Sequence, residues 1–212
     1  TGHVMVDRAA LGETGNVAVA DCSQLAALSA WAQAAKAEGS RVWMQINHPG
    51  RQSPRVLSRE PVSASAVPMA GIQRSMFAKP RALSDGEIRA VVDRFAGTAA
   101  VAEEAGFDGV QIHGAHGYLI NQFLSPRTNL RDDAWGGDAE RRRRFAVEVA
   151  RAVRKAVSRD FAVGIKLNSA DFQRGGFTAD ESRDLVLALD AEGLDLIQVS
   201  GGTYESEPMF EE

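Results

Sequence analysis

The chain has a single cysteine, Cys22, among 212 residues, which excludes an internal disulfide and any cysteine-built metal cluster within these residues. No apolar run is longer than a strand, and no basic stretch leads into an apolar one at the start, so neither a transmembrane helix nor a signal peptide is expected. Cytoplasm is the default compartment. Excess basic charge is also missing: 24 Lys and Arg against 28 Asp and Glu leave a net charge of −4, which argues against nucleic acid as a partner. The one basic run, Arg141 to Arg144, stands beside Asp132, Asp133, Asp138 and Glu140, and reads as the salt-bridged start of a solvated helix. An initiating Met is absent too. The opening TGHVMVD looks like the tail of a strand begun elsewhere, and after SGG the chain stops on an acidic tail, so it reads as a piece of a longer protein.

What is present is enough for a core. Hydrophobic residues make up 44% and charged residues 25%, the balance of a globular domain. The 3.6-residue period predicts four amphipathic helices, over about 22–38, from the capping box Ser84 to Glu87 up to Gly106, over 139–158, and from the box Thr178 to Glu181 up to Gly193. Each is followed by a short β-rich run, at 41–46, 109–113, 162–167 and 194–200. Strand alternating with helix means parallel βα units, arranged as an open sheet or as a (β/α)8 barrel. The side chains decide. Val42, Met44 and Ile46, Val110 and Ile112, Val163, Ile165 and Leu167, and Ile197 and Val199 form one aliphatic face, while the other face is mixed and ends polar at the C-terminal tips. That pattern fits a barrel, whose active sites sit on that rim. One incomplete domain, 1–212, is expected, with 51–83 a long βα loop holding four prolines and a small hairpin.

The segment VQIHGAHGYLINQFLSPRTNLRDDAWGG, from Val110 to Gly137, concentrates the chemistry. His113, His116 and Tyr118 place two imidazoles and a phenol within six positions where a strand gives way to a helix. They suffice to hold a substrate oxygen and deliver a proton to a neighbouring carbon. Two histidines three apart are also compatible with a structural role or half of a metal site. A closed zinc site needs about four ligands, and only His3 and His48 remain as histidines, so no metal is expected.

This segment closely resembles the old yellow enzyme family of FMN-dependent ene-reductases, where H-x-x-[HN]-x-Y precedes F-L-S-P-x-x-N-x-R-x-D-x-[YW]-G-G. The resemblance extends from the end of the second barrel strand through the sixth, and so implies a partial TIM barrel. It implies that Gln45, in VWMQINHPGR, hydrogen-bonds the polar edge of the flavin. Lys166, in GIKLNSADFQRGGF, stands where many members have arginine beside the flavin, and keeps the charge without the planar fork; its alternative is an ion pair with Asp171 or another rim carboxylate. His113 and His116 resemble the pair that holds the carbonyl or nitro oxygen of an activated alkene, and Tyr118 the proton donor. Gly201 and Gly202 offer backbone that the cofactor can approach. Asn129, Arg131, Asp132, Trp135, Gly136 and Gly137 read as scaffold, as do Glu140, Arg142, Arg144 and Phe145, with Arg141 replacing the family's asparagine. His48 and Arg51 read as loop packing or ion pairing as readily as function.

The implied activity passes hydride from NAD(P)H through FMN to the C=C bond of an α,β-unsaturated carbonyl compound. The partners expected are that small molecule, neither nucleic acid nor membrane, and room is left for a homo-oligomer. The alternative is a catalytically inert fragment or assembly module unable to retain FMN by itself. A barrel hydrolase or lyase using the histidines without flavin is a third reading.

Overall fold

A strand inside a helix-covered sheet buries every second residue on its helix side, and three of the four long strands here do so in register. The computed structural model describes residues 1–205. Eight strands follow along the chain: β1 (His3–Met5), β2 (Val17–Ala18), β3 (Trp43–Asn47), β4 (Val62–Ser63), β5 (Arg81–Ala82), β6 (Gly109–Gly114), β7 (Ala162–Asn168) and β8 (Leu196–Ser200). The helices are α1 (Leu25–Lys36), α2 (Asp85–Glu104), α3 (Leu119–Leu124), α4 (Ala139–Ala156) and α5 (Ala179–Asp190).

Six strands form one parallel sheet in the order β2-β1-β3-β6-β7-β8. From β1 onward the long strands neighbour one another in chain order with a helix between successive pairs, which makes this an α/β arc of a (β/α)8 barrel. Met44, Ile46, Val110, Ile112, Val163, Ile165 and Leu167 share one core with Leu28 of α1, Phe95 of α2, Val149 of α4 and Leu185 of α5. Burying each such aliphatic side chain is worth about 1.5–3 kcal/mol. The other face, the lumen, carries His3, Gln45, Gln111, His113, Lys166 and Gln198.

Both expected capping boxes form. Ser84 and Glu87 exchange side-chain and backbone hydrogen bonds at the start of α2, and Thr178 and Glu181 do so at α5. The first helix starts later than its period suggests, because 22–24 make a 3₁₀ turn capped by Asp21. The expected hairpin between β3 and α2 is corrected. β4 and β5 pair in parallel, Val62 with Arg81, since the chain between them is long enough to cross over before it returns. At the far edge β8 has no further strand among the described residues, and Val199 is exposed on its helix side.

The scaffold residues after α3 are tied through their side chains. Asn129 Nδ2 donates to the carbonyls of Phe123 and Trp135. Arg131 Nη1 reaches the carbonyls of Ala64 and Leu83, and its carboxylate partner is Asp133 rather than the Asp132 singled out from the motif. Gly136 has no room for a side chain: a Cβ there would meet Arg131 Cβ at 2.5 Å.

Candidate active site

The register sets the site. His3 lies beside Gln45, Gln45 beside Gln111, and His113 beside Lys166 and then Gln198, all on the lumen face. The chain then leaves β6 through Ala115, His116 and Gly117. His116 and Gly117 are both left-handed, with φ of 59° and 78°. For a non-glycine residue that conformation stores about 1 kcal/mol or more and persists only when its surroundings over-determine it. They do. His116 N–H donates to Asn168 Oδ1 at 3.1 Å, its carbonyl accepts from Gln52 Nε2, and its Nε2 lies 2.7 Å from Ser200 Oγ. Asn121 holds Gly117 N–H at 2.7 Å and accepts from Asn168.

This turn brings the three expected catalytic side chains together. The His113 ring lies 5.1 Å from His116 and 4.8 Å from Tyr118, edge to face in both cases. His3, left aside in the motif reading, completes the cluster at 4.9 Å from His113 and 5.2 Å from Tyr118. Tyr204, in the loop after β8, was also missed; its hydroxyl lies 3.0 Å from that of Tyr118.

Protonation follows from burial. His113 is 1% exposed, and desolvation, with the charges of His3, His116 and Lys166 adding to it, pushes its pKa down to about 2. His116 and His3 are also held below the usual range, by burial first. All three are neutral near pH 7. His113 Nδ1 accepts from Ala115 N–H, which puts the ring proton on Nε2, a buried atom with no partner among the described residues. An unpartnered N–H in such a place costs several kcal/mol unless something accepts from it, and it is well suited to an oxygen. Burial, followed by the hydrogen bond to Tyr204, raises the pKa of the Tyr118 phenol, so it keeps its proton.

The cofactor-side residues are placed as follows. Gln45 is 9% exposed and its Nε2 donates to Gln111 Oε1 at 2.6 Å, while Gln111 Nε2 donates to Gln198 Oε1 at 2.8 Å. The carboxamide is therefore pinned by its nitrogen, and its oxygen, without a hydrogen bond to a described residue, is left as an acceptor for a ring N–H. Asp171 is engaged by Asn121 and by Phe177 N–H and forms no ion pair with Lys166. Lys166 has neither hydrogen bond nor salt bridge to a described residue, a cation on the lumen face without a protein anion. A free acceptor, a free cation and an unpartnered imidazole N–H on one concave face fit a flavin ring and a substrate oxygen. Gly201 and Gly202 border His116, but each has a reason inside the loop. A Cβ on Gly201 would meet the Phe172 ring at 2.6 Å, and Gly202 is left-handed, its carbonyl held by Asn168 Nδ2.

His48 lies apart, fully buried, its pKa pushed down to about 4 by desolvation. It lines a cavity of about 260 Å³ on the helix side with Asp7, Arg81 and Arg94. Arg51 holds loop carbonyls at Val67 and Pro68 and pairs with Glu205, so packing and ion pairing account for it. Among the described residues no group of His, Cys, Asp and Glu could hold a metal, and no helix is long and apolar enough to cross a membrane.

The sequence profile of the NADH:flavin oxidoreductase / NADH oxidase family matches residues 1–206. The chain belongs to that family. It is 41% identical over 215 residues to the NADH-dependent flavin oxidoreductase nadA of Aspergillus parasiticus, covering 97% of this chain and 48% of that protein. Among solved structures it superposes on an old yellow enzyme homologue from Zymomonas mobilis with a TM-score of 0.84 at 25% identity, over 96% of this chain and 62% of that one. It also superposes on 2-naphthoyl-CoA reductase with a TM-score of 0.90 at 30% identity, over 96% of this chain and 33% of that one. The resemblance to old yellow enzymes holds. This flavin oxidoreductase family member spans about half the length of the curated relatives it matches.

Proposed function

We propose that this chain carries the catalytic face of an FMN-dependent oxidoreductase that reduces the C=C bond of an α,β-unsaturated carbonyl or similarly activated alkene at the expense of NAD(P)H. The observation that carries the reading is the meeting of His113, His116 and Tyr118 on one lumen face, with a buried, unpartnered N–H on His113.

Bound FMN supplies a hydride carrier that NAD(P)H recharges. Gln45 and Lys166 are the residues of this chain that would hold its ring, the carboxamide by hydrogen bonding and the ammonium by charge, with Gly201 and Gly202 keeping the loop beside His116 thin. The remaining chemistry belongs to the protein. As hydride reaches the β-carbon, negative charge moves onto the substrate oxygen. His113 Nε2–H and the His116 imidazole donate to that oxygen, and donors fixed in a water-poor site stabilise the developing charge more than the neutral ground state. Tyr118 then gives its proton to the α-carbon. Burial keeps the phenol protonated at every physiological pH, which suits it to wait for the carbanion.

The lumen is open on one side: Leu196 is 47% exposed and Gln198 is also exposed. That observation favours the second reading, an assembly module that retains FMN only when another chain completes the wall. Titrating the purified chain with FMN, followed by anaerobic addition of NADPH and cyclohexenone, separates the two. Tight flavin binding with enone consumption supports the enzyme, and failure to bind FMN supports the module.

A further inference from the structure

Tyr118 and Tyr204 are the only two tyrosines in the chain, and they come from segments 86 residues apart to place their hydroxyl oxygens 3.0 Å from each other. Their surroundings are opposite. Tyr118 is 6% exposed, walled by the edges of His3 and His113, while Tyr204 is 45% exposed at the outer rim. The hydroxyl of Tyr204 is the one hydrogen-bond partner of the Tyr118 hydroxyl among the described residues. The loop that carries Tyr204 is anchored, with Glu205 paired to Arg51 and its backbone N–H donating to Thr203 Oγ1.

We propose that Tyr204 is the relay through which Tyr118 is reprotonated from solvent after each turnover. The inference rests on the proton-donor reading of Tyr118. In the step concerned the Tyr118 Oη–H bond breaks as the proton passes to the substrate α-carbon, whose carbanion lone pair becomes the new C–H bond. The buried phenolate takes the Tyr204 hydroxyl proton across the shared hydrogen bond, and Tyr204 takes one from a water or buffer acid at the rim. No electrons change hands. Without the second phenol, a phenolate enclosed by imidazole edges has no described group to refill it and must wait for water to enter.

The test uses the 212-residue chain with ¹³Cζ-labelled tyrosine. Two signals are expected, assigned by Y118F and Y204F, and Y204F keeps the ring whose edge packs near Tyr118. In an equal mixture of H₂O and D₂O the Tyr118 signal of the unsubstituted chain is expected as one averaged line, because relay through Tyr204 exchanges its hydroxyl quickly. In Y204F it is expected to split into protonated and deuterated lines. A merely structural Tyr204 gives the reverse, since loosening the loop speeds exchange, and an averaged Y204F line overturns the proposal. In an enone-reducing, flavin-loaded preparation, Y204F is expected to lower kcat about 100-fold with KM unchanged; an unchanged kcat also overturns it. If the unsubstituted protein reduces no enone, the functional reading fails while the exchange result still decides whether the two phenols share a proton path.

Discussion

Arg51 and Glu205 form an ion pair with side chains only 4% and 15% exposed, joining the turn after β3 to the loop after β8 across the mouth of the site. Glu205 also accepts from Ala70 N–H, and Arg51 Nε is buried without a partner among the described residues. Removing one member strands the other charge in a poorly solvated place, which costs about 3–5 kcal/mol. R51M is therefore expected to lower the urea midpoint strongly, and R51M/E205M to recover much of the loss. Equal midpoints for R51M and the unsubstituted chain would show that the pair contributes nothing.

The buried histidines make the fold acid-sensitive. His113 and His48 have folded pKa values pushed down to about 2 and about 4, against the ordinary value of 6.5, and His3 and His116 shift the same way. Below that value the unfolded chain binds protons that the folded one refuses, so stability is fully present above about pH 6.5 and falls as the pH drops toward the folded values. Each such histidine adds a slope of about 1.4 kcal/mol per pH unit. The urea midpoint is expected to be flat from pH 7 to 8 and to fall steeply from pH 6 to 4. H48N, which removes one titrating ring, is expected to make that fall shallower, and an identical slope in H48N rules His48 out as a contributor.

Much of this was legible in the chain because the signals are local. Strand alternation separated Ile46, Ile112 and Ile165 from Gln45, His113 and Lys166, and two capping boxes fixed helix starts. A six-residue run held His113, His116 and Tyr118. What escaped depends on register or on long-range closure. His3 sits in the cluster because β1 pairs with β3 at Gln45, which composition cannot disclose. Tyr204 meets Tyr118 only after β7, α5 and β8 have been laid down. The parallel pairing of β4 with β5 was missed because a proline-rich stretch has no period to read. Asn47 belongs here as well, fully buried with both carboxamide atoms unpartnered among the described residues.

The carboxamide row gives a third prediction. Gln111 fixes which way Gln45 turns, by accepting from its Nε2. In Q111M that constraint is lost and Gln45 can present either end to the flavin edge. One neutral hydrogen bond is worth about 1 kcal/mol, so FMN dissociation constants are expected to rise about five-fold by fluorescence titration. An unchanged constant would mean that Gln45 does not contact the ring.

The last prediction separates the oxygen-holding histidines from the proton donor by choice of substrate. Hydride addition to an enone leaves a carbanion that must be protonated on carbon, whereas addition to a nitroalkene leaves a nitronate that persists in neutral water. If Tyr118 acts only as the proton donor, flavin-loaded Y118F should lose cyclohexenone reduction while still consuming a nitroalkene, with the nitronate visible by its ultraviolet absorbance. His113 acts earlier, on the oxygen that gathers charge in both reactions, so H113A should slow both, by about 10²- to 10³-fold for a lost oxyanion donor. The neutral imidazole predicts one thing more. Because burial pushes the pKa of His113 down to about 2, the H113A defect should be the same at pH 6 and pH 8, and a defect that grows toward low pH would mean that a protonated imidazolium, not the neutral N–H, holds the substrate.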